Sequence, residues 1–332
     1  MIVKDMTLKE LMTAKHIVLV KNRVPPDTIV DDWLQTSFVH AGMPLLRRQD
    51  LPAEALLLEH YCSQLADMQC VGVVSHGWLA PGHPDPKGRL RGDIGVLFYS
   101  FLFWDFLSLL QVDALGKRTQ SEEISFRAAL GSMHLIYANP YWCVLRILSI
   151  PADAVNQVPY MNRGWCVFET CIAGVGARQL LTVKDGKVLF AEPSPLPTTP
   201  TRFQEMVKDL RFPSQEADSK LVVQLFNRLF LRLAAHEELS FFAWDDRKVS
   251  EFLEILPELT GVKLVKVFNW DNRRCTAKMS EGTMRHLNSL LVARGGELRL
   301  TFIDEFGIPK IWKGGDILYV TDENVVLMTK VG

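Results

Sequence analysis

The sequence predicts an α/β protein built on a mostly parallel β-sheet. Between residues 70 and 183, apolar segments of strand length alternate with segments of helical periodicity, a pattern typical of parallel sheets. The strand-length segments are apolar throughout, as expected when both faces of a sheet are covered. Three of them end in a short polar residue, at Ser75, Asp105 and Ser149.

The elements follow in order along the chain. We predict helices over residues 7–14 and 52–68, strands over 70–74 and within 97–104, and a helix that begins at a capping box formed by Thr119 and Glu122. A single apolar stripe carries that helix to Tyr137, before Asn139 and Pro140 end it. Two more strands are predicted, over residues 143–148 and 179–183.

Composition divides the rest of the chain. Prolines cluster between residues 193 and 200, which indicates a stiff linker. Beyond it we predict helices over 204–210, 221–235 and 249–259, and strands over 263–268, 297–302, 309–312, 317–320 and 325–328. The predicted organisation is an N-terminal extension (1–64), the α/β domain (65–192), a proline-rich linker with helices (193–235) and an α+β module (236–332).

Charge and cysteine content exclude several functional classes. The 332 residues include 37 basic and 38 acidic ones, so no overall field attracts nucleic acid or an anionic membrane. The apolar segment 94–110 contains Asp105, which favours a buried strand over a membrane span. The six cysteines show no metal-binding spacing and the N-terminus has no secretory signal, so we expect a cytoplasmic protein with reduced thiols.

Two regions contain candidate functional residues. In open parallel sheets ligands bind at the carboxyl ends of the strands, where Ser75, His76, Asp105 and Ser149 are expected. Any one of these residues is more often simply the point where the chain reaches water, but their coincidence favours a site. Farther on, Glu169 lies beside an apolar helical stripe that begins at Trp165. From this pattern alone, a solvated helical glutamate is the favoured interpretation.

These residues resemble a known family. Trp165-Cys166-x-x-Glu169 matches the WCxxE motif that opens the third helix of TIR domains, and residues 73–78 resemble the end of their first strand and the loop after it. Over residues 65–185 the order of elements also fits. The wider pattern, in which the second strand ends in Trp104-Asp105 and Arg163-Gly164 precedes the motif, most resembles divergent TIR-like proteins of microbial eukaryotes. The resemblance implies a flavodoxin-like sheet with helices on both faces. One departure is Gly77, where the family commonly has a basic residue.

The resemblance also implies an activity. Active TIR domains cleave the nicotinamide–ribose bond of NAD, and the role of their essential glutamate falls to Glu169. The nicotinamide leaves as a neutral molecule, so one carboxylate that stabilises the ribosyl cation is sufficient. NAD is then the substrate, no metal is needed, and a homo-oligomer is expected because active TIR domains complete their pocket with a second copy. Contacts with NAD are expected from Ser75, His76, Gly77, Trp78, Asp105 and Trp165.

Three alternatives stay open at this point. Many TIR domains are adaptors, so the chain could be a non-catalytic self-association and signalling module. Cys166 at a helix N-terminus could be a nucleophile of lowered thiol pKa, with His76 as its base. His76, His83 and Asp85 could bind a metal, although histidines in such loops are usually only solvated.

Overall fold

A computed structural model describes residues 6–21, 44–51, 53–56, 71–90, 101–176, 179–185, 187–189, 198–242, 244–269, 279–303, 309–313, 316–320 and 325–330. The chain divides into two compact units. One comprises Met1–Leu189 and Glu205–Leu225, and the other comprises Phe190–Gln204 and Phe226–Gly332. Most of the predicted helix over 52–68 and of the proline cluster lies outside the described residues.

The first unit is a mixed α/β structure with a mostly parallel six-stranded sheet, as predicted. The strand order is β1-β3-β2-β4-β5-β6, and the three central pairings are parallel, whereas β1 and β6 pair antiparallel at the two edges. The strands that lead to Ser75, Asp105 and Ser149 are therefore neighbours. The six strands are β1 (Val20–Lys21), β2 (Val71–His76), β3 (Phe101–Trp104), β4 (Cys143–Ile147), β5 (Gln179–Lys184) and β6 (Lys187–Leu189).

Burial explains why the strands read as continuous apolar runs. Every residue of β2 and of β4 is buried, so both faces of the central strands are covered. The polar Ser75 and His76 belong to this buried strand, which extends two residues beyond its predicted end. Asp105 directly follows β3 and opens a short helix, α2 (Asp105–Ser108).

The helices of the first unit largely match the predictions. The capping box is confirmed, because the Thr119 side chain accepts from the backbone N–H of Glu122 while the Glu122 side chain accepts from that of Thr119. The predicted continuation to Tyr137 is wrong: the helix stops at Leu130, and Gly131 and Ser132 separate it from the next one, in keeping with the low helix propensity of glycine. The capped helix is α3 (Gln120–Leu130), and the helix after it is α4 (Met133–Tyr137). This unit also contains α1 (Leu8–Thr13) and α5 (Gly164–Gly176). The helices α6 (Pro200–Val207) and α7 (Gln215–Ala235) have residues in both units.

The second unit contains its own six-stranded sheet, in the order β12-β11-β10-β9-β8-β7. In this sheet β7 pairs with β8 and β8 with β9 in parallel, whereas the pairings from β9 through β10 and β11 to β12 are antiparallel. All five predicted strands are present, whereas β7 and the helix α9 were not predicted. The elements are β7 (Glu238–Phe242), α8 (Asp246–Ile255), β8 (Leu264–Asn269), α9 (Glu281–Val292), β9 (Glu297–Ile303), β10 (Pro309–Lys313), β11 (Asp316–Val320) and β12 (Val325–Lys330).

Across the ranges that the structure describes, no helix combines the length and the apolar character needed to cross a bilayer.

Candidate functional site

The carboxyl end of β2 and the helix α5 meet through Ser75 and Glu169. The Ser75 hydroxyl donates a hydrogen bond of 2.5 Å to Oε2 of Glu169. Ser75 Oγ is also hydrogen-bonded to the hydroxyl of Tyr160, which lies 3.1 Å from Oγ1 of Thr170. All four side chains are buried, and Glu169 is only 6% exposed. The interpretation of Glu169 as a solvated helical residue is therefore wrong.

The local sequence of α5 explains why Glu169 is buried. Phe168 and Ile172 are fully buried, as the apolar stripe predicts, and the side chain of Val175 lies outside the described part of the chain. Burial also extends over Val167 and Thr170, so α5 is covered on more than one face. A prediction from the apolar stripe alone underestimates the burial of α5, because it assumes that the polar residues of the helix face water.

Burial dominates the protonation of Glu169. It raises the pKa of the Glu169 carboxyl well above its ordinary value, and the negative charge of Asp105 acts in the same direction. Hydrogen bonds from Ser75 and Tyr137 favour the ionised form but do not offset the burial. Burial therefore shifts the Glu169 carboxyl toward the neutral acid. The Tyr137 hydroxyl also lies 3.0 Å from the carbonyl oxygen of Val74.

A second carboxyl, that of Asp105, lies in the same region. Its Oδ2 accepts a hydrogen bond of 3.0 Å from the indole N–H of Trp78, and its Oδ1 accepts one of 2.7 Å from the backbone N–H of Phe106. Burial raises the pKa of Asp105 to about 6, against the effect of both hydrogen bonds. The site thus contains two carboxyls that burial pushes toward the neutral form.

His76 is a buried histidine at the carboxyl end of β2. Its side chain is 8% exposed, and neither ring nitrogen has a hydrogen-bond partner among the described residues. The ring packs edge-to-face on Trp104, with the ring centroids 5.8 Å apart. Burial, reinforced by the positive charge of Arg163, lowers the pKa of His76 to about 3, so the imidazole is neutral. Unpaired polar atoms in such a place are costly unless a ligand or water satisfies them.

Gly77 leaves space that Arg163 fills. A Cβ added at Gly77 would lie 2.6 Å from Nε of Arg163. The Arg163 guanidinium donates to the carbonyl oxygens of Trp78, Asn156 and Val158, at 2.5, 3.1 and 2.8 Å. A cation from another part of the chain therefore lies beside the position where the resembled family commonly has a basic residue.

A cavity of about 880 Å³ connects these groups. Its volume is within the range of roughly 300–1,000 Å³ that is usual for ligand sites. Trp165 is partly exposed toward it, whereas most helical aromatics pack only in a core. Ser75 contacts Glu169 but does not itself line the cavity. Ser149 does not line it either, and its hydroxyl accepts a hydrogen bond from the backbone N–H of Asp185. The lining includes His76, Gly77, Trp78, Asp105, Trp165 and Glu169.

Tyr160 and Arg163 contribute to the site although no local sequence pattern indicates a role for them. Both precede the WCxxE motif, and both act on residues far away in the chain: Tyr160 on Ser75, and Arg163 on Trp78. A tyrosine and an arginine directly before a helix are too common to indicate such contacts. The folded sheet brings the partners together.

The structure also bears on the alternative roles. Cys166 is 3% exposed, and burial raises the pKa of its thiol well above the ordinary value, so the expected lowering is wrong. His83 accepts from the backbone N–H of Asp85, whose carboxylate accepts from the N–H groups of Arg89 and Leu90. The side chains of His83 and Asp85 thus stabilise the loop to which they belong. The described residues contain no group of three or more side chains that could bind a metal ion.

No protein-family model, curated protein or solved structure matches this chain. The functional assignment therefore depends on the geometry of the site and on the motif that Trp165, Cys166 and Glu169 form.

Proposed function

We propose that this chain is a TIR-like NAD-cleaving hydrolase in which Glu169 is the catalytic carboxylate. One observation carries the proposal: Glu169 is buried at the wall of a cavity of about 880 Å³, where it accepts a hydrogen bond from Ser75 at the carboxyl end of β2. A helical glutamate with no role beyond solubility would be exposed.

Sheet topology supports a flavodoxin-like arrangement. The four parallel strands have the spatial order β3-β2-β4-β5, which corresponds to the first four positions of the flavodoxin-like order 2-1-3-4-5. In such sheets the ligand crevice lies between the first and third strands, which here are β2 and β4. Ser75 is near the end of β2, and Glu169 is on the helix that follows β4.

The proposed chemistry matches a single buried carboxyl. The positive charge of the nicotinamide ring favours ionisation of a neighbouring acid, so bound NAD lowers the pKa of Glu169 from its raised value. As the C1′–N bond breaks, its electron pair neutralises the pyridinium nitrogen, and the carboxylate stabilises the ribosyl cation. Water then adds to C1′ and releases a proton to solvent, giving ADP-ribose.

Other residues of the site supply groups that NAD can use. The neutral imidazole of His76 offers one donor and one acceptor, both unpaired among the described residues, to the carboxamide or the ribose hydroxyls. Trp165 and Trp78 present aromatic surface to the cavity, and Asp105 fixes the Trp78 ring through its indole N–H. A second copy of the chain completes the pocket in this proposal.

A second candidate is a non-catalytic TIR-like self-association module. The observation that favours it is the hydrogen bond from Ser75, which already satisfies part of the Glu169 carboxyl within the domain. In this case Glu169 stabilises the contact between β2 and α5 and does no chemistry.

Incubation of the purified full-length chain with NAD separates the two candidates. We expect free nicotinamide and ADP-ribose to appear in equal amounts, measured by liquid chromatography, and to be absent with heat-unfolded protein. A folded chain that releases no nicotinamide at any concentration, including concentrations at which it self-associates, would leave the association module as the remaining function.

A further inference from the structure

Among the described residues, four arginines line the cavity: Arg47, Arg118, Arg163 and Arg211. Three of them are engaged by the protein itself. Arg163 donates to three loop carbonyls, as described above. Arg47 forms a two-point ion pair with Asp50, through Nε at 2.7 Å and Nη2 at 2.9 Å.

Arg118 is engaged from several directions. Its Nε donates to the carbonyl oxygen of Leu110 at 2.8 Å, and its Nη1 lies 3.3 Å from a carboxylate oxygen of Glu123. The guanidinium carbon also lies 3.5 Å from the centroid of the Phe126 ring, in cation–π geometry. This cation therefore contributes charge to the wall, but its donors are directed elsewhere.

Arg211 differs from these three. Its side chain is exposed, and its guanidinium has no hydrogen bond or ion pair within the described part of the chain. An exposed arginine is usually only solvated, but the backbone of Arg211 is held against the opening of α5. Its N–H donates to the carbonyl oxygen of Asn162, and its own carbonyl accepts from the N–H of Gly164, both at 2.9 Å.

The residues on either side of Arg211 are fixed as well. The Gln215 side chain donates to the carbonyl of Leu210 at 2.9 Å and accepts from the N–H of Phe212 at 3.1 Å. The Phe212 ring packs so closely on Gly164 that an added Cβ there would lie 1.9 Å from it. We call residues 211–214 the strap. Its backbone holds Arg211 beside the cavity wall that carries Trp165 and Glu169.

An acidic residue of the same wall does not neutralise Arg211. Asp218 lines the cavity, but its Oδ2 accepts from the backbone N–H of Ser214 at 3.0 Å, at the start of α7. The positive end of the helix further stabilises that carboxylate. Among the described residues that line the cavity, Arg211 is thus the cation whose donors are available.

We infer that Arg211 binds the diphosphate of a nucleotide held in the cavity, and that the strap positions it for this role. The planar guanidinium fork matches two phosphate oxygens, which makes arginine well suited to such a group. The inference rests on the proposed function for the nature of the ligand. Its consequence is that residues beyond the TIR-like region, 211–214, form part of the site.

Calorimetric titration of the full-length chain with ADP-ribose and with adenosine tests the inference independently of catalysis. We expect Arg211→Gln to weaken ADP-ribose binding at least about tenfold while the affinity for adenosine stays the same. Arg211→Lys keeps the charge but loses the guanidinium fork, so its affinity for ADP-ribose should lie between those of the wild type and Arg211→Gln. Lys208→Gln is the matched control, because Lys208 is three residues away, pairs with Glu205 and does not line the cavity.

Three results would overturn the inference. They are failure of the wild-type chain to bind ADP-ribose, equal effects of Arg211→Gln and Lys208→Gln, and an equal loss of ADP-ribose and adenosine binding in Arg211→Gln. The proposed function fails separately. If the chain binds ADP-ribose through Arg211 but releases no nicotinamide from NAD, the inference stands and the hydrolase proposal fails. If Arg211→Gln cleaves NAD as well as the wild type does, the hydrolase proposal stands and the inference fails.

Discussion

Ser75 and Glu169 are 94 positions apart in the chain, yet the hydroxyl of one lies 2.5 Å from the carboxyl oxygen of the other. This hydrogen bond connects the end of a central strand to the helix that carries the WCxxE motif. The position and the protonation of Glu169 therefore depend on the sheet as well as on the helix.

Replacement of Ser75 by alanine tests this dependence. The hydrogen bond from Ser75 lowers the pKa of Glu169, so its removal raises that pKa further and disfavours the ionised form. We expect Ser75→Ala to slow NAD cleavage at neutral pH and to move the acidic limb of the pH–rate profile to higher pH. The loss of a buried hydrogen bond should also lower the free energy of unfolding by about 1–2 kcal/mol.

Ser149→Ala is the matched control for Ser75→Ala, because Ser149 also follows a central strand but binds the N–H of Asp185 away from the cavity. It should leave the pH–rate profile unchanged. If Ser75→Ala and Ser149→Ala give the same pH–rate profile, Ser75 does not influence the ionisation of Glu169.

Gly77 and Arg163 provide a test of packing at the first loop. A methyl group at Gly77 would collide with a guanidinium that three carbonyls hold in place. We expect Gly77→Ala to lower the free energy of unfolding by about 1–3 kcal/mol, measured by urea titration.

A double-mutant cycle gives the control for this prediction. In an Arg163→Ala background the collision is absent, so Gly77→Ala should cost less than about 1 kcal/mol. Additive effects of the two substitutions would show that Arg163 does not occupy the space beside Gly77.

Asp105 should give a measurable pH dependence of stability. Its folded-state pKa of about 6 lies above the ordinary value of 3.8, so between these values the folded protein binds more protons than the unfolded chain. Its contribution to stability therefore falls as the pH rises from about 4 to 6. We expect the stability of Asp105→Asn relative to wild type to increase over the same interval, measured by urea unfolding at several pH values.

Asp153 is the matched control with the opposite sign. Ion pairs with Lys87 and Arg89 lower the pKa of this exposed carboxylate, so its contribution to stability is lost as the pH falls. Asp153→Asn should therefore lose a small amount of stability relative to wild type as the pH rises. A flat difference for Asp105→Asn would contradict the raised pKa of Asp105.

Local signals in the sequence predict much of the first unit. The capping box at Thr119 and the apolar runs of β2 and β4 each depend on neighbouring residues, and the structure contains all three elements. The apolar stripe does not predict the break at Gly131, because the stripe continues across it. In the second unit, β7 is hard to predict because only two residues separate it from the long helix α7.

The arrangement of the site was less predictable, because it depends on contacts between distant residues. Because ligands bind at the carboxyl ends of parallel strands, the sequence predicts Ser75 and Asp105 at one site. The WCxxE motif adds Glu169 to this prediction. No local pattern indicated that Tyr160 would reach Ser75, 85 positions away, or that Arg163 would lie beside Gly77. The burial of Glu169 also depends on these tertiary contacts. The proline cluster suggested a boundary, yet residues 205–225 belong to the first unit.

The most direct test of the central claim compares nicotinamide release from NAD by the wild-type chain and by Glu169→Gln, with thermal unfolding of both proteins as the control. Glutamine preserves the size of the side chain and removes the charge, so we expect the rate to fall roughly a hundredfold or more. Because burial raises the pKa of Glu169, a neutral side chain should leave the melting temperature at pH 7 unchanged or higher. Equal rates of NAD cleavage in two equally folded proteins would contradict the assignment of Glu169 as the catalytic carboxylate.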